Sequence, residues 1–335
     1  MGEVKLITVG SAEDGIRLDR WLRRRWPTLG QTQIHKLART GQLRVDGGRV
    51  KADARLAAGS QVRVPPLPDP APAADREPIS SSDAAFARGL VLWEDDEVLV
   101  LNKPAGLAVQ GGTKTSRHID RLLSAWGEGT TRPRLTHRLD RDTSGVLVLG
   151  RNPDAAARLA AAFASRRAEK TYWAVVEGVP ETHSGMIDLP LAKVGVDDRE
   201  RMIPAEPGNP QAKPAVSEYV TLSAAAPAAA WLALRPRTGR THQLRAHMLA
   251  LGHPILGDPK YNTDRSRVAS GGLKLQLHAR RLVIPHPSGG FIDVVAPISP
   301  ELAAGFTRFG FDATDGRGDP FADLAGSANR DRAHH

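Results

Sequence analysis

A short apolar run that directly follows a cluster of charged and turn-forming residues constrains this chain more than any other feature. Residues 146–149 are all branched and apolar, a pattern that predicts a short strand buried on both faces. The preceding Thr-Ser-Gly at 143–145 predicts a turn. Asp140 therefore lies on a loop that leads into the core, between Arg138 and Arg141. Because nearby cations favour the ionised carboxylate, Asp140 is either a reactive group in a basic pocket or an ordinary turn residue in a surface ion pair.

The charge balance and the lack of cysteine narrow the class of protein. There are 46 Lys and Arg residues against 37 Asp and Glu residues, a net charge of +9, which favours a polyanionic partner, with nucleic acid ahead of a membrane surface. No apolar run reaches the ~18 residues of a spanning helix, and the chain start has no signal-like segment. Zero cysteines exclude disulfides, thiol catalysis and thiolate metal sites. We therefore expect a cytoplasmic protein with no membrane partner.

Residues 1–66 predict a small basic domain. They carry +7 of the net charge in about a fifth of the chain. Hydrophobic spacing predicts helices around 16–22 and over 31–40, and Asp46-Gly47 predicts a hairpin turn. The basic helix faces are either simply solvated or contact nucleic-acid phosphates. The residues that would make such contacts are Arg17, Arg20, Arg24, Lys36 and Arg39.

The remainder of the chain divides into a linker, a second domain and a tail. Proline and alanine dominate residues 67–83, which predicts an extended linker. Alternating strand and helix signals over 84–310 predict a larger domain of mixed α and β structure. Beyond it, the polar residues 311–335 predict a disordered tail.

A helix is predicted near the end of the second domain. Residues 241–251 have helical spacing and are followed by Gly252, a typical helix stop. Leu244, Met248 and Leu251 fall on one face and are expected to be buried.

Several motifs in the second domain occur in the order and spacing of one enzyme family. These motifs are Asn102-Lys103-Pro104-Ala105-Gly106 with Gln110-Gly111-Gly112, His137 to Gly145, Lys170-Thr171-Tyr172, Thr238 to His247 with Gly252 to Asp258, and Leu277-His278-Ala279. With them the chain resembles the RluA family of RNA pseudouridine synthases over about residues 90–298. Its Gly-Gly loop is similar to the RluC branch, whose substrate is large-subunit ribosomal RNA. The first domain resembles the S-four-type (alpha-L) RNA-binding domain.

The resemblance implies a fold, an activity and a set of site residues. The implied fold class is α+β, with a mixed, largely antiparallel central sheet preceded by a small α+β RNA-binding domain. The implied activity isomerises uridine in RNA to pseudouridine, with no cofactor or metal, in a monomer. Asp140 would be the catalytic carboxylate, Arg245 its paired cation and Tyr172 the aromatic on the uracil. Arg138 would hold the flipped-out nucleotide, and the pocket would also include Leu277, His137 and Arg240.

The reaction route and the role of one lysine stay open. The target uridine must leave its stack, because its reacting atoms are inaccessible within a helix. Asp140 could then attack C1′ of the ribose, remove a C2′ proton to give a glycal, or add to C6 of uracil. Lys103 is interpreted as a structural residue or a phosphate contact.

Three other functions compete with this one. A metal site on His242 and His247 is disfavoured because i, i+5 positions on a helix lie about 140° apart, unlike the zinc-protease arrangement. A glycosidase would need two carboxylates, with Asp142 as partner of Asp140. A catalytically silent RNA-binding factor of ribosome assembly would keep the same fold, and release of tritium from C5 of uridine would distinguish it from an enzyme.

Overall fold

The chain folds into two compact units, which divide between Pro78 and Ile79. The computed structural model describes residues 3–26, 29–67, 79–111, 117–127, 131–195, 200–316 and 318–322. Most of the predicted linker, residues 68–78, lies outside this description. Its two ends differ from the prediction, because Leu67 is buried in the first unit and a helix begins at Ser81 in the second.

The first unit is a small α+β domain. A four-stranded antiparallel sheet has the order β1-β4-β2-β3. Its strands are β1 (Lys5–Thr8), β2 (Arg44–Val45), β3 (Gly48–Arg49) and β4 (Gln61–Val64), and its helices are α1 (Leu18–Arg25) and α2 (Gln31–Arg39). Leu18, Trp21 and Leu22 are fully buried, which confirms the predicted apolar face of the first helix. Asp46 and Gly47 both have positive φ, 48° and 78°, as a two-residue hairpin turn requires.

The second unit is built around one large sheet. Its described helices are α3 (Ser81–Arg88), α4 (Ile119–Leu122), α5 (Pro153–Ala164), α6 (Gln243–Ala250), α7 (Asp264–Ser270) and α8 (Pro300–Phe309). Its first strands are β5 (Val91–Glu94), β6 (Val98–Lys103), β7 (Arg134–Leu135), β8 (Ser144–Gly150), β9 (Glu169–Glu177) and β10 (Ser184–Asp188). The later strands are β11 (Leu191–Val194), β12 (Arg201–Pro204), β13 (Val216–Ala225), β14 (Ala229–Pro236), β15 (Leu277–Pro285) and β16 (Phe291–Val295). Within the described residues, none of the helices has the length and hydrophobicity that a membrane span requires.

The large sheet is mixed but mainly antiparallel, as expected. Eight strands follow the order β10-β13-β14-β9-β15-β8-β6-β5, while β7 pairs with β8 and β16 with β15. Among the described strands of this sheet, β8 and β15 form the one parallel pair, through His278 opposite Ser144 and Ala279 opposite Gly145. This pair joins the two halves of the sheet, so the residues just before β8 and β15 emerge side by side.

Strand β8 is buried on both faces, which confirms the prediction for residues 146–149. Val146 and Val148 pack with Leu159 of α5 on one face. Leu147 and Leu149 lie in a different cluster on the other face, with Ile119 and Leu122 of α4. An all-apolar strand is thus required here because both faces are covered.

Strand β8 begins earlier than predicted, and the glycine at position 145 makes this possible. Ser144 and Gly145 are the first residues of β8 rather than part of a turn. Gly145 has φ +111°, and a Cβ at this position would lie 2.1 Å from the carbonyl oxygen of Ala279. Glycine is therefore required where β8 comes closest to β15.

Two predictions about the second unit are wrong. Leu251 follows the end of α6 and is 37% exposed, although Leu244 and Met248 are buried as expected. The predicted tail of residues 311–335 does not begin at 311: a short 3-10 helix forms over Ala313–Gly316 and Phe321 is fully buried. Phe321 packs in a cluster with Trp173 and Trp231, so its aromatic side chain outweighs the polar composition around it. Residues 323–335 lie outside the description.

Candidate active site

The loop that carries Asp140 is held to β8 by side chains. After β7, the Thr136 hydroxyl donates to the carbonyl of Val148 (2.6 Å), and His137 Nε2 accepts from the amide N–H of Val148 (2.9 Å). The two side chains replace the backbone partners that a longer β7 would have supplied. The chain can therefore leave the sheet and turn at Asp140, whose carbonyl accepts from the Thr143 amide.

Lys103 holds the other side of this loop. Its side chain is fully buried, and Nζ donates to the carbonyls of Pro104, Leu107 and Arg141 at 2.8–2.9 Å. Burial lowers the pKa of Lys103 to about 7. Three carbonyl acceptors for three ammonium hydrogens make Lys103 a structural clamp between β6 and the Asp140 loop, and the phosphate-contact interpretation is wrong because the group is inaccessible.

Asp140 faces Arg245 of α6. The distance from Arg245 Nη1 to Asp140 Oδ2 is 3.4 Å. However, the bidentate partner of Arg245 is Asp258, through Nε–Oδ2 at 2.6 Å and Nη2–Oδ1 at 2.7 Å. The prediction of an Arg245–Asp140 pair is thus confirmed as a contact, but the possible bidentate geometry belongs to Asp258, which pattern reasoning did not single out.

Asp258 anchors Arg245 in a buried position. Its carboxylate side chain is fully buried, and Oδ1 also accepts from the amides of Lys260 and Tyr261. Burial disfavours the charged guanidinium, but the ion pair with Asp258 outweighs it and the pKa of Arg245 is raised. Arg245 therefore remains a fixed cation beside Asp140. The position of Asp258 in the motif that ends at residue 258 was the available signal.

Asp140 and Arg245 line one cleft of about 490 Å³. Among the described residues around it, Asp140 supplies the one carboxylate. The cationic lining side chains are Arg138, Arg166, Lys170, Arg237, Arg240 and Arg245. Such a lining favours a polyanionic ligand that approaches a single carboxylate.

Every predicted residue of the second unit's site borders this cleft. Tyr172 and Leu277 line it from β9 and from the start of β15, and His137, Arg138 and Arg240 line it as well. Burial raises the pKa of Tyr172, so its hydroxyl stays protonated at neutral pH. Its ring provides a flat, uncharged wall next to Asp140.

One residue that lines the cleft, His242, was not assigned to the site by sequence reasoning. His242 Nε2 lies 3.7 Å from Asp140 Oδ2, and His242 Nδ1 lies 3.0 Å from the hydroxyl of Tyr261. His247, by contrast, hydrogen-bonds with Ser217 and with the carbonyl of Leu189. His242 at the N-cap of α6 and His247 within the helix therefore contact different partners.

Most of the predicted RNA-binding residues of the first unit are exposed to solvent, where a ligand can contact them. Arg20, Arg24, Lys36 and Arg39 are exposed. Arg17 differs, because its guanidinium forms a bidentate pair with Asp19 at 3.1 and 2.8 Å. That pair compensates the charge of Arg17, so it is the weakest phosphate-binding candidate of the five.

Comparison with known proteins identifies the family. The family model for RNA pseudouridylate synthase matches residues 97–250. The chain is 35% identical to "Ribosomal large subunit pseudouridine synthase C" of Yersinia pestis over 315 residues, which cover 89% of this chain and 93% of that protein. The chain belongs to the RluA family of RNA pseudouridine synthases.

A second relative and a solved structure support the same family assignment. The protein of the same name from Salmonella typhi is 33% identical over 310 residues, with 89% of this chain and 94% of that protein covered. Among solved structures, "Human RNA Pseudouridylate Synthase Domain Containing 4" superposes with a TM-score of 0.57 at 28% identity, covering 69% of this chain and 98% of that one. The predicted family, fold class and enzyme activity are thereby confirmed.

The half-buried His137 and the buried His278 make the stability of this synthase sensitive to mild acid. Burial, with Lys170 nearby, lowers the pKa of His137 to about 3. Between about pH 3 and its ordinary pKa of about 6.5, the unfolded chain binds a proton that the folded chain does not, so stability falls as pH falls through this window. His137→Gln keeps an acceptor for the amide of Val148 but has no group that titrates in this range. When the pH is lowered from about 7.5 to about 5.5, we expect the free energy of unfolding to fall by about 1 kcal/mol less in this variant than in the wild type.

Urea unfolding of the two proteins at both pH values measures this difference. Burial also lowers the pKa of His278, to about 4. Because His278 is present in both proteins, its contribution to the loss of stability cancels in the comparison. Equal losses of stability in the wild type and the variant would contradict a neutral His137.

Proposed function

We propose that this chain converts specific uridines of large-subunit ribosomal RNA to pseudouridine, with Asp140 as the reacting carboxylate. The observation that carries the proposal is a single carboxylate, 3.4 Å from a buried arginine, in a cleft whose described lysine and arginine lining residues number six. The choice of RNA is supported by relatives that are named for the large ribosomal subunit.

RNA binding would use both units. The exposed cations of α1 and α2 can contact phosphates without reading bases, which gives salt-sensitive affinity. In the cleft, Lys170 precedes Tyr172 by two residues on the same face of β9, about 7 Å away along the strand. That spacing suits a lysine on a backbone phosphate while the tyrosine contacts the base.

The target uridine would be flipped into the cleft. Arg138 is exposed at the rim, where it can bind the neighbouring phosphates or fill the vacated stack. Tyr172 and the buried Leu277 then enclose the uracil ring. Stacking of this kind offsets part of the few kcal/mol that extraction of a base costs.

The arrangement of Asp140 suits the chemistry. Among the described residues, His242 and Arg245 approach the carboxylate of Asp140, and both approach Oδ2. Oδ1 is therefore left to attack C1′, take the C2′ proton or add to C6. In each route the C1′–N1 bond breaks, a C1′–C5 bond forms, C5 loses its proton and N1 gains one. Arg245 places a fixed positive charge beside the carboxylate that each of these steps uses.

We also propose that the protein acts in the cytoplasm as a monomer. Ribosomal RNA is available in that compartment, and the lack of cysteine suits reducing conditions.

Tritium release tests the proposed function. Purified protein is incubated with large-subunit ribosomal RNA transcripts that carry tritium at C5 of uridine, with small-subunit and transfer RNA transcripts as comparisons. We expect release from the large-subunit RNA. Binding without release from any transcript would instead indicate a silent assembly factor, and release only from transfer RNA would overturn the substrate.

A further inference from the structure

His242 occupies an unusual backbone conformation beside Asp140. It precedes the first residue of α6 with φ 52° and ψ 18°, in the left-handed region. Non-glycine residues rarely adopt this conformation, and those that do concentrate at functional sites. The conformation places the imidazole in the cleft, with Nε2 3.7 Å from Asp140 Oδ2.

The hydrogen bonds of Tyr261 determine which nitrogen of His242 carries the proton. The Tyr261 hydroxyl accepts from the amide N–H of Met202 (2.7 Å) and lies 3.0 Å from His242 Nδ1. Tyr261 is 2% exposed, so its own hydroxyl hydrogen needs an acceptor, and leaving it unpaired would cost about 1–3 kcal/mol. His242 Nδ1 is that acceptor, which leaves the proton on Nε2.

The other end of the ring requires the same tautomer. Nε2 faces the carboxylate of Asp140, and two facing lone pairs would repel. A proton on Nε2 instead gives the carboxylate a donor. The network from the Met202 amide through Tyr261 to His242 is thus directed at Asp140.

Burial keeps the ring neutral, although charged groups face it from several sides. Burial lowers the pKa of His242, Asp140 raises it, and Arg245 and Lys260 lower it further, while Asp258 raises it. The net direction is downward, so the ring carries one proton at neutral pH. That proton is the one that the Tyr261 contact assigns to Nε2.

We propose that His242 is a positioning residue that donates from Nε2 to Asp140 Oδ2 and, together with Arg245, leaves Oδ1 as the reacting oxygen. The inference rests on the proposed role of Asp140. The 3.7 Å separation is longer than a hydrogen bond, and we expect it to shorten when RNA closes the site, as catalytic contacts commonly do. Asp258 links the two donors, since it binds Arg245 directly and accepts from the Tyr261 amide.

Three variants test this role by tritium release from the large-subunit transcript. We expect His242→Ala to lower kcat about 10- to 100-fold with KM within about threefold, because a misdirected carboxylate costs that much. His242→Gln, whose amide can donate from the Nε2 position, should recover most of kcat. Tyr261→Phe should give an intermediate kcat, since it removes the group that assigns the tautomer.

A matched control separates positioning from folding. His247→Gln changes a fully buried, hydrogen-bonded histidine of the same helix that does not line the cleft. It should alter the thermal midpoint but not kcat. Nitrogen NMR of labelled histidine should show His242 protonated at Nε2 in the wild type and a mixture of tautomers in Tyr261→Phe.

The outcomes are distinguishable from failure of the proposed function. If Asp140→Ala is inactive but His242→Ala keeps kcat within about threefold of the wild type, the positioning role is wrong and the function stands. If His242→Gln is as slow as His242→Ala although both are folded, the donor assignment is wrong. If Asp140→Ala is active, the proposed function itself fails.

Discussion

Asp140→Asn is expected to lower kcat for pseudouridine formation by at least about a thousandfold. Asparagine has the same shape but is neither an anionic nucleophile nor a base, so each of the three routes stops. The Kd for RNA should change by less than about threefold, because the substitution removes a negative charge from a cationic cleft and no phosphate contact. Tritium release measures kcat, and filter binding at fixed salt measures Kd.

Asp142→Asn is the matched control for this experiment. Asp142 lies two residues further along the same loop, but its carboxylate pairs with the exposed Arg141 at 3.1 Å and does not line the cleft. We expect this variant to keep nearly full activity. Equal losses in both variants would indicate two cooperating carboxylates, and an active Asp140→Asn would contradict the assigned role.

Asp258→Ala is expected to destabilise the second unit by about 3–5 kcal/mol. The substitution leaves the guanidinium of Arg245, 4% exposed, without its bidentate partner and removes the acceptor of two backbone amides. In the fraction that stays folded, kcat should also fall, because Arg245 and Tyr261 both lose their anchor. Urea unfolding gives the stability, and tritium release at low temperature gives kcat.

Asp293→Ala is the control for the loss of stability expected in Asp258→Ala. Asp293 also pairs with an arginine in bidentate fashion, but Arg281 and Asp293 are 35% and 46% exposed. Solvent-exposed pairs contribute at most about 1 kcal/mol, so this variant should remain stable and active. Similar losses of stability in the two variants would show that burial of the Arg245–Asp258 pair has no special effect.

Local sequence patterns predicted much of the scaffold. The apolar run at 146–149 forms the centre of the buried strand β8. The hairpin turn at Asp46-Gly47 also follows from the residues alone. These features depend on side-chain periodicity and backbone preferences over a few neighbouring residues, which a single sequence displays directly.

Contacts between distant segments required the folded structure. Arg245 lies 105 residues beyond Asp140 but only 13 before Asp258, and pattern reasoning had no means to choose between the two carboxylates. The clamp of Lys103 and the burial of Phe321 likewise depend on which segments meet.

The motifs, through the family that they resemble, were therefore enough to select Asp140, Arg245 and Tyr172 as candidates. Which atoms of these residues face each other depends on how the strands pair, above all on the parallel junction of β8 with β15. Hydrogen bonds act over about 3 Å, a scale that is set by three-dimensional packing and leaves no periodic trace in the sequence. That is why Asp258 and His242 emerged as partners of Arg245 and Asp140 only once the fold had brought them together.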